Sequence, residues 1–549
     1  MAEAAERPEG GTRSRFLLGA VFCCGAAVMV VEMTAVRVLQ PFFGSTTHVW
    51  TNVIAVVLAA LAAGYAIGGR LADRHPRPAL LHGLLGLGGL LVAAGALLAT
   101  RVSGLFVDAA PEFADRLANL VRGSLCASLA LFAPPAFVLG MVSPLAVRLL
   151  AAGGVGRAAG RVFAVSTAGS VLGTWLPAFL LVPRYGSRGA LLFAAAALLL
   201  PAAAGLAMLP RSGWRARAAA LLLLGAGGAL FVLTDRRPDR PPPRLGSGGE
   251  AHVLEEVEST YQYLSVREDR YPDGTVEELL TMNESLRMYH SYRVRGRVLT
   301  GLPHHDEYAV LPMLLDRPAG ADLRMLMIGV ACGIDVSQWH HFWGGLQRLR
   351  VVGAEIDPEI LALGRRHFDL PGPEAGWLTV HAMDGRQLLR ALPAGERFHA
   401  IVVDAFSNEL SVPFHLATRE FFTECRDRLE PGGLLAMNVN ARDAASRNLL
   451  AVANTLATVF RACFRAGEGE TGNYRLIAAA GPGEPDFARL GATRLRARFG
   501  DRPEVPEWAD LLALAAAMPA HVERLAPRPD ERVLTDDHAP LEWLSDRFR

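Results

Sequence analysis

Between Phe16 and Thr234 the chain repeats one pattern that leaves little choice of fold: apolar runs of about membrane thickness, separated by short loops that carry arginine. The runs are Phe16–Val36, Val53–Gly69, Ala79–Thr100, Ser124–Ala146, Val162–Val182, Gly189–Leu209 and Ala218–Thr234. Lipid offers a backbone no hydrogen-bond partner, so such runs must be helices. The expectation is a disordered polar tail over 1–15 and a transmembrane domain of about seven helices over 16–234. Gly64 and Gly68, like Gly169 and Gly173, are four apart and predict close helix contacts. Pro134, Pro135 and Pro144 predict a kink in the fourth span. Glu32 is the outstanding polar group inside a span; it reads either as a functional carboxylate or as a partner for Arg37.

Arginine also sets the expected orientation. The N-terminus and the loops Arg70–Arg77, Arg148–Arg161 and Arg211–Arg217 are basic, whereas Arg101–Arg122 also carries Asp108, Glu112 and Asp115. This places the N-terminus and every even loop inside. Seven crossings would leave the second half of the chain outside. Arginine flanks the seventh run at both ends, however, so its crossing is not determined. The expectation is a multi-pass protein of the plasma (inner) membrane with its second half cytoplasmic and the lipid bilayer as a partner.

A proline-, arginine- and glycine-rich linker follows at 235–250. Residues 251–300 alternate like strands, with runs at Thr260–Val266, Val276–Met282 and Met288–Val294, and predict a small β-hairpin module. Residues 301–549 then read as a Rossmann-type α/β domain. Its key stretch is Arg324–Asp357: strand Met325–Ile328, small residues Gly329, Ala331 and Gly333, a helix, and strand Arg350–Ala354 closing on Glu355. That is the nucleotide-binding half of a doubly wound sheet, and an acid ending the second strand suits a ribose diol. Strands at Thr379–Ala382, His399–Val403 and Leu434–Val439 follow, the last entered by a turn at Leu429–Gly433. Asp384-Gly385 and Asp404 thus fall with Glu355 on the carboxyl edge, where open α/β sheets bind ligands. The last polar turn, Val533–Pro540, carries acids that read as caps.

The formal net charge of +1 gives no reason to expect nucleic acid. There is no lysine, which excludes Schiff-base chemistry. Cys23, Cys24, Cys126, Cys332, Cys425 and Cys463 lack zinc-ligand spacing, so no metal is expected. Cys332, inside the glycine turn, reads as a small filler.

Taken in order, Tyr261-Gln262, Asp306-Glu307-Tyr308, the glycine turn, Glu355-Ile356-Asp357-Pro358, Asp384-Gly385 and Asp404 resemble the spermidine synthase (polyamine aminopropyltransferase) family. With Gly64–Arg74, Asp404–Ser407, Thr418–Phe422 and the terminal turn, the chain is similar to its membrane-fused bacterial subgroup. The resemblance implies a methyltransferase-like sheet and transfer of an aminopropyl group from decarboxylated S-adenosylmethionine to a polyamine. It implies that Glu355 holds the ribose, that Asp384 lies near the adenine, and that Gln262 lines the donor pocket. The chain departs from the family where it needs charge. The acid for the donor's amine falls on Cys332, the second catalytic-loop acid falls on Ser407, and the acceptor-holding aromatic and histidine fall on Val310 and Leu311.

Two classes of function follow. One is a membrane-bound transferase using a sulfonium nucleoside, either decarboxylated S-adenosylmethionine or S-adenosylmethionine itself, on an amine-type or unknown acceptor. Asp404 is then the leading base, with Glu409 second and Asp306 third; the expected donor-site set is Gln262, Gly329, Ala331, Gly333, Glu355, Asp384 and Gly385. The other is a transporter or sensor that binds a nucleoside or polyamine without turnover. A homodimer is compatible with either.

Overall fold

The computed structural model describes residues 9–43, 47–106, 113–151, 154–209, isolated positions between 218 and 229, 249–282, 289–315, 317–406, 412–467, 472–481, 483–539 and 541. The chain forms two compact units, one made of 1–241 with Glu258–Tyr263 and one made of most of the remainder.

The first unit is helical. Its elements are α1 (Glu9–Phe43), α2 (Thr47–Arg74), α3 (Pro78–Leu105), α4 (Phe113–Leu131), α5 (Ala133–Gly140), α6 (Val142–Leu150), α7 (Val155–Leu176) and α8 (Val182–Ala207). Among the described residues, five helical stretches are long and apolar enough to cross a membrane: Ser14–Phe43, His48–Arg74, Pro78–Leu105, Ala133–Leu150 and Val155–Ala207. The last holds 53 residues, about 80 Å at 1.5 Å per residue, more than twice a bilayer's hydrocarbon core. It is broken at Gly186 (φ 69°, ψ 173°), so it contains both the fifth and sixth expected spans. The fourth span is interrupted at Phe132 and Met141, next to its prolines, as expected. Most of the seventh run lies outside the described residues.

The spaced glycines act as anticipated. A Cβ on Gly173 would stand 2.1 Å from the Ala26 carbonyl oxygen of α1, and one on Gly68 2.5 Å from Met141 Cα. Only glycine lets these backbones approach so closely.

In the second unit, β1 (Glu250–Glu258), β2 (Tyr263–Arg270), β3 (Val276–Met282) and β4 (Tyr289–Val294) form a four-stranded sheet in that order. The strand runs anticipated from Tyr263 onward are present; β1, whose sequence EAHVLEEVE lacks clean alternation, is an addition. Its neighbour β2 ends in buried charge. Arg267 pairs with Asp269 at 2.6 Å, while Glu268 and Glu278 both pair with Arg295. Buried charges of this kind persist only when paired.

The larger sheet has eight strands: β5 (Asp322–Ile328), β6 (Arg348–Glu355), β7 (Leu378–Ala382), β8 (Phe398–Val403), β9 (Leu429–Asn440), β10 (Ala462–Ala466), β11 (Asn473–Ala479) and β12 (Val522–Leu525). Their order is β12-β10-β11-β9-β8-β5-β6-β7, with β5 to β9 parallel and β11 antiparallel beside β9. The chain therefore runs outward from β5 to β7, then crosses back to β8, as a doubly wound sheet does. Alternate strand residues feed opposite faces: Met325, Met327 and Val402 go to one core, Leu326, Ile328 and Ile401 to the other. The expected turn at Leu429–Gly433 is instead an irregularity inside β9. Leu429 already pairs with Phe398, and the ladder resumes at Leu434 opposite Ala400.

Candidate active site at the carboxyl edge

The turn after β5 is shaped by three residues in the left-handed region: Gly329 (φ 90°), Ala331 (φ 50°) and Gly333 (φ 86°). A Cβ on Gly329 would lie 2.1 Å from the Asp404 carbonyl oxygen, so glycine is what brings the ends of β5 and β8 together. Asp404 N–H donates to the Ile328 carbonyl at 2.9 Å and fixes the same junction. Gly385 plays the same part after β7: a Cβ there would meet Ile328 Cγ2 at 2.2 Å.

Helices α9 (Ile334–Trp343), α10 (Pro358–His367) and α11 (Gly385–Ala391) follow β5, β6 and β7. Glu355, at the end of β6, accepts from Ala331 N–H at 2.9 Å and Asp357 N–H at 3.1 Å. Each oxygen retains a second lone pair. Burial pushes its carboxyl up to about 7. Asp384 caps α11, accepting from the Arg386 and Gln387 N–H groups at 3.0 Å each, and its other oxygen lies 2.8 Å from His415 Nε2. Burial works to raise this carboxyl, but His415 and the two N–H donors outweigh it and hold it below the ordinary range. Cys332 is fully buried among Leu264, Val266, Ile334 and Ile360, and burial raises its thiol to about 12. It is filler, as its sequence context suggested.

At the end of β8, Asp404 Oδ1 accepts from Asn438 Nδ2 at 3.2 Å. The Tyr308 phenol lies beside the carboxylate. Asp404 Oδ2 has no conventional hydrogen-bond partner among the described residues. Burial pushes the Asp404 carboxyl up to about 6, with nearby His305 pulling the other way. His305 itself stands 3.5 Å from Asp335, Nδ1 to Oδ1. The tips of His305, Asp335 and Asp404 all lie within 4.8 Å of one another, a set with metal-ligand composition. Burial alone would lower the His305 ring, but Asp335 and Asp404 dominate and hold it protonated up to about 9. The three side chains form one cluster of two acids and an imidazole drawn from separate elements.

Asp306, the third candidate base, accepts from Thr300 N–H (2.8 Å), Thr300 Oγ1 (2.9 Å), Gly301 N–H (2.8 Å) and Gln338 Nε2 (2.7 Å). Three of these donors meet Oδ1 and one meets Oδ2, so the carboxylate organises the turn at Thr300 and Gly301. Gln262 sits in a turn closed by Ser259, whose N–H donates to the Gln262 carbonyl at 2.8 Å, and groups with the helical unit. Ser407 and Glu409 lie outside the described residues. The terminal acid Asp536 is more than a cap: it accepts from Arg386 at 2.7 and 2.9 Å and from Thr418 Oγ1 at 2.7 Å.

Sequence reasoning missed His305, Tyr308, Asp335 and Asn438. The signal for the first was present, since His304-His305 adjoin Asp306 on one helical turn. Asp335 sits just past the glycine turn, in the helix expected to follow it. Trp339 and Trp343, one turn apart on α9, hold the whole segment in place by donating to the carbonyls of Tyr308 and Ala309 at 2.9 Å.

No family model matches the chain. A probable polyamine aminopropyl transferase of Bifidobacterium longum is 29% identical over 312 residues, covering 54% of this chain. The chain spans only 63% of that relative's length. A polyamine aminopropyltransferase of Vibrio vulnificus is 35% identical over 85 residues, 15% of this chain and 27% of its own. Among solved structures, a probable spermidine synthase of Corynebacterium glutamicum aligns at 18% identity and TM-score 0.38, covering 52% of this chain and 97% of its own. The spermidine synthase of Thermotoga maritima aligns at 16% and 0.36, covering 49% and 85%. In sequence, the second half of the chain is similar to polyamine aminopropyltransferases (spermidine synthases).

Proposed function

We propose that the protein is a membrane-bound transferase that moves an alkyl group, aminopropyl in the first instance, from an adenosyl sulfonium donor to an amine. The observation that carries this reading is Asp404. Its carboxyl lies at the strand edge against Gly329, with one oxygen lacking a conventional partner and a pKa raised towards neutrality. Glu355 and Asp384 are the proposed ribose and adenine contacts, with Gly329, Ala331, Gly333 and Gly385 letting the backbone come close. Gln262 is retained as a proposed donor contact and Glu409 as a second acid. Asp306 is assigned to the scaffold.

In the reaction the amine lone pair attacks the carbon bonded to sulfur. The new C–N bond forms as the C–S bond breaks, its electron pair passes to sulfur, and a neutral thioether leaves. Asp404 takes the N–H proton, so charge is conserved. The soluble half is proposed to face the cytoplasm, where sulfonium donors are made. Aminopropyl transfer is supported by the similarity to polyamine aminopropyltransferases. Methyl transfer is the variant that product mass distinguishes.

The test is detergent-purified full-length protein incubated with decarboxylated S-adenosylmethionine, or with S-adenosylmethionine, and a panel of amines. Thioether release together with an alkylated amine establishes the reading. Tight donor binding with no product from any amine would favour the sensor alternative.

A further inference from the structure

The polar turn near the C-terminus reaches the side of the sheet edge where Asp384 stands. Arg386 follows Asp384 by two residues, and its side chain is 6% exposed. A guanidinium carries five N–H donors in one plane. Here Nε donates to Glu424 at 3.2 Å, and Nη1 donates to the His415 carbonyl at 3.0 Å and to Asp536 Oδ1 at 2.7 Å. Nη2 donates to Asp536 Oδ2 at 2.9 Å and to Glu424 Oε1 at 2.8 Å. The contact with Asp536 is bidentate, which fixes direction as well as charge.

Asp536 is itself anchored. Leu534, fully buried, donates its N–H to Thr455 Oγ1 at 2.9 Å and accepts from Arg419 N–H at 2.9 Å. Asp536 N–H donates to Glu420 at 3.1 Å, and Thr418 Oγ1 donates to the Asp536 carboxylate at 2.7 Å. The turn is thus tied to Arg386 on one side and to Thr418, Arg419 and Glu420 on the other.

These contacts close a ring. Arg386 holds the His415 backbone, His415 Nε2 reaches back to Asp384 Oδ2 at 2.8 Å, and Asp384 Oδ1 accepts from the N–H groups of Arg386 and Gln387. An ionised carboxylate only accepts, so His415 Nε2 carries its hydrogen. Donors on both oxygens fix the plane of the Asp384 carboxylate. The Asp384 and His415 side chains are 18% and 35% exposed, which leaves both within reach of a ligand. A carboxylate fixed there accepts from the exocyclic amine of a 6-aminopurine and repels the oxygen of a 6-oxopurine, because two acceptors then face each other.

We propose that the turn Leu534–Asp536 is a latch on the purine side of the donor site, with Asp536 acting through Arg386 and His415 to hold Asp384 in the orientation that selects a 6-aminopurine. The latch presupposes the nucleoside donor and names what selects its base. Asp536, Arg386 and His415 are positioning residues, and Asp384 is the group that meets the purine.

Calorimetry of detergent-purified full-length protein with methylthioadenosine and with methylthioinosine tests this, since the two ligands carry 6-amino and 6-oxo forms of one base. Their affinity ratio is insensitive to any loss of folded protein, which both ligands meet equally. The wild type should favour methylthioadenosine by about a hundredfold, as a site built to bond an N–H rejects an analogue lacking it. Asp536→Asn and His415→Ala should each cut that preference by about tenfold or more. His415→Gln, which keeps a side-chain N–H, should retain most of it. Asp537→Asn, at the exposed neighbour in the same turn, should leave it unchanged. A turn that merely stabilises the fold would lower Tm in Asp536→Asn and leave the preference intact, and that result would overturn the proposal. So would a preference lost in His415→Ala but kept in Asp536→Asn, or a wild type that does not discriminate. If neither nucleoside binds the wild type, the nucleoside reading falls and the latch falls with it. If both bind but no amine is alkylated, the transferase reading fails alone, and the ratios still decide the latch.

Discussion

Asp404 shows how one side chain's surroundings set its chemistry. Its carboxyl is pushed up to about 6 by burial, and only the ionised form accepts a proton. With a competent amine, kcat/KM should therefore climb with pH and level off above about 6. The step belongs to the Asp404–His305 pair, since groups this close titrate together. Asp404→Asn should lower the rate by about 10²–10⁴-fold, the usual worth of a general base, and should abolish the step; a variant retaining both rate and step would remove Asp404 from the role. Glu355 gives a second residue-scale expectation through stability. Its pKa is raised from 4.5 to about 7, so its contribution to stability is fully present below about 4.5 and is lost as the pH rises through 7. At about 1.36 kcal/mol per unit the swing approaches about 3 kcal/mol. Denaturation midpoints of the unliganded protein should fall between pH 5 and pH 8, and Glu355→Gln should flatten that slope. In addition, Glu355→Ala should weaken donor binding by about 1.5–3 kcal/mol, the value of hydrogen bonds to a charged group. Calorimetry showing equal affinity would take Glu355 out of the donor site.

Among the elements, the parallel strands β5 to β8 were legible because each is a short apolar run bounded by small or acidic residues. The buried ends of β2 were not, because Arg267-Glu268-Asp269-Arg270 reads as solvated until cross-strand partners are known. The same reason hid the site's ion cluster: His305, Asp335 and Asp404 are 30 or more residues apart in sequence and meet only through the fold. For Asp306, position beside a recognisable motif suggested chemistry, and the fold adds that three of its four donors come from the turn at Thr300 and Gly301. The glycine turn supplies a test at this scale. Gly329→Ala places a Cβ 2.1 Å from the Asp404 carbonyl oxygen in a left-handed backbone, whereas Gly320→Ala meets the same φ penalty with nothing within 4 Å. The control should lose only about 1 kcal/mol of stability, with turnover unchanged. Gly329→Ala should lose more stability and should also displace Asp404. Equal stability and turnover in the two variants would mean that this close approach is unimportant.

At the scale of the whole molecule, the helical half was the most legible part, since hydropathy alone marks spans and proline marks their breaks. What hydropathy left open was parity, and parity decides which side of the membrane the α/β unit faces. Counting the 53-residue stretch as two passes, because of its length and the break at Gly186, gives six crossings before residue 209. Six crossings return the chain to the side of its arginine-bearing N-terminus, which positive-inside bias puts in the cytoplasm. The stretch 218–234 would reverse this only by crossing once more. Arginine at both ends of that stretch gives the positive-inside bias no preference for such a crossing. A cytoplasmic α/β unit is also what the proposed cytosolic sulfonium donor requires, and it is the orientation expected. With the native cysteines replaced, a cysteine introduced after Gly248 should resist a membrane-impermeant thiol reagent in intact cells and react once the membrane is opened. A second cysteine in the loop between α3 and α4, which carries Asp108 and Glu112 and should be external, should label in intact cells and report that the reagent works. Labelling at both sites in intact cells would place the α/β unit outside, show that 218–234 crosses, and remove the cytosolic donor from the proposed reaction.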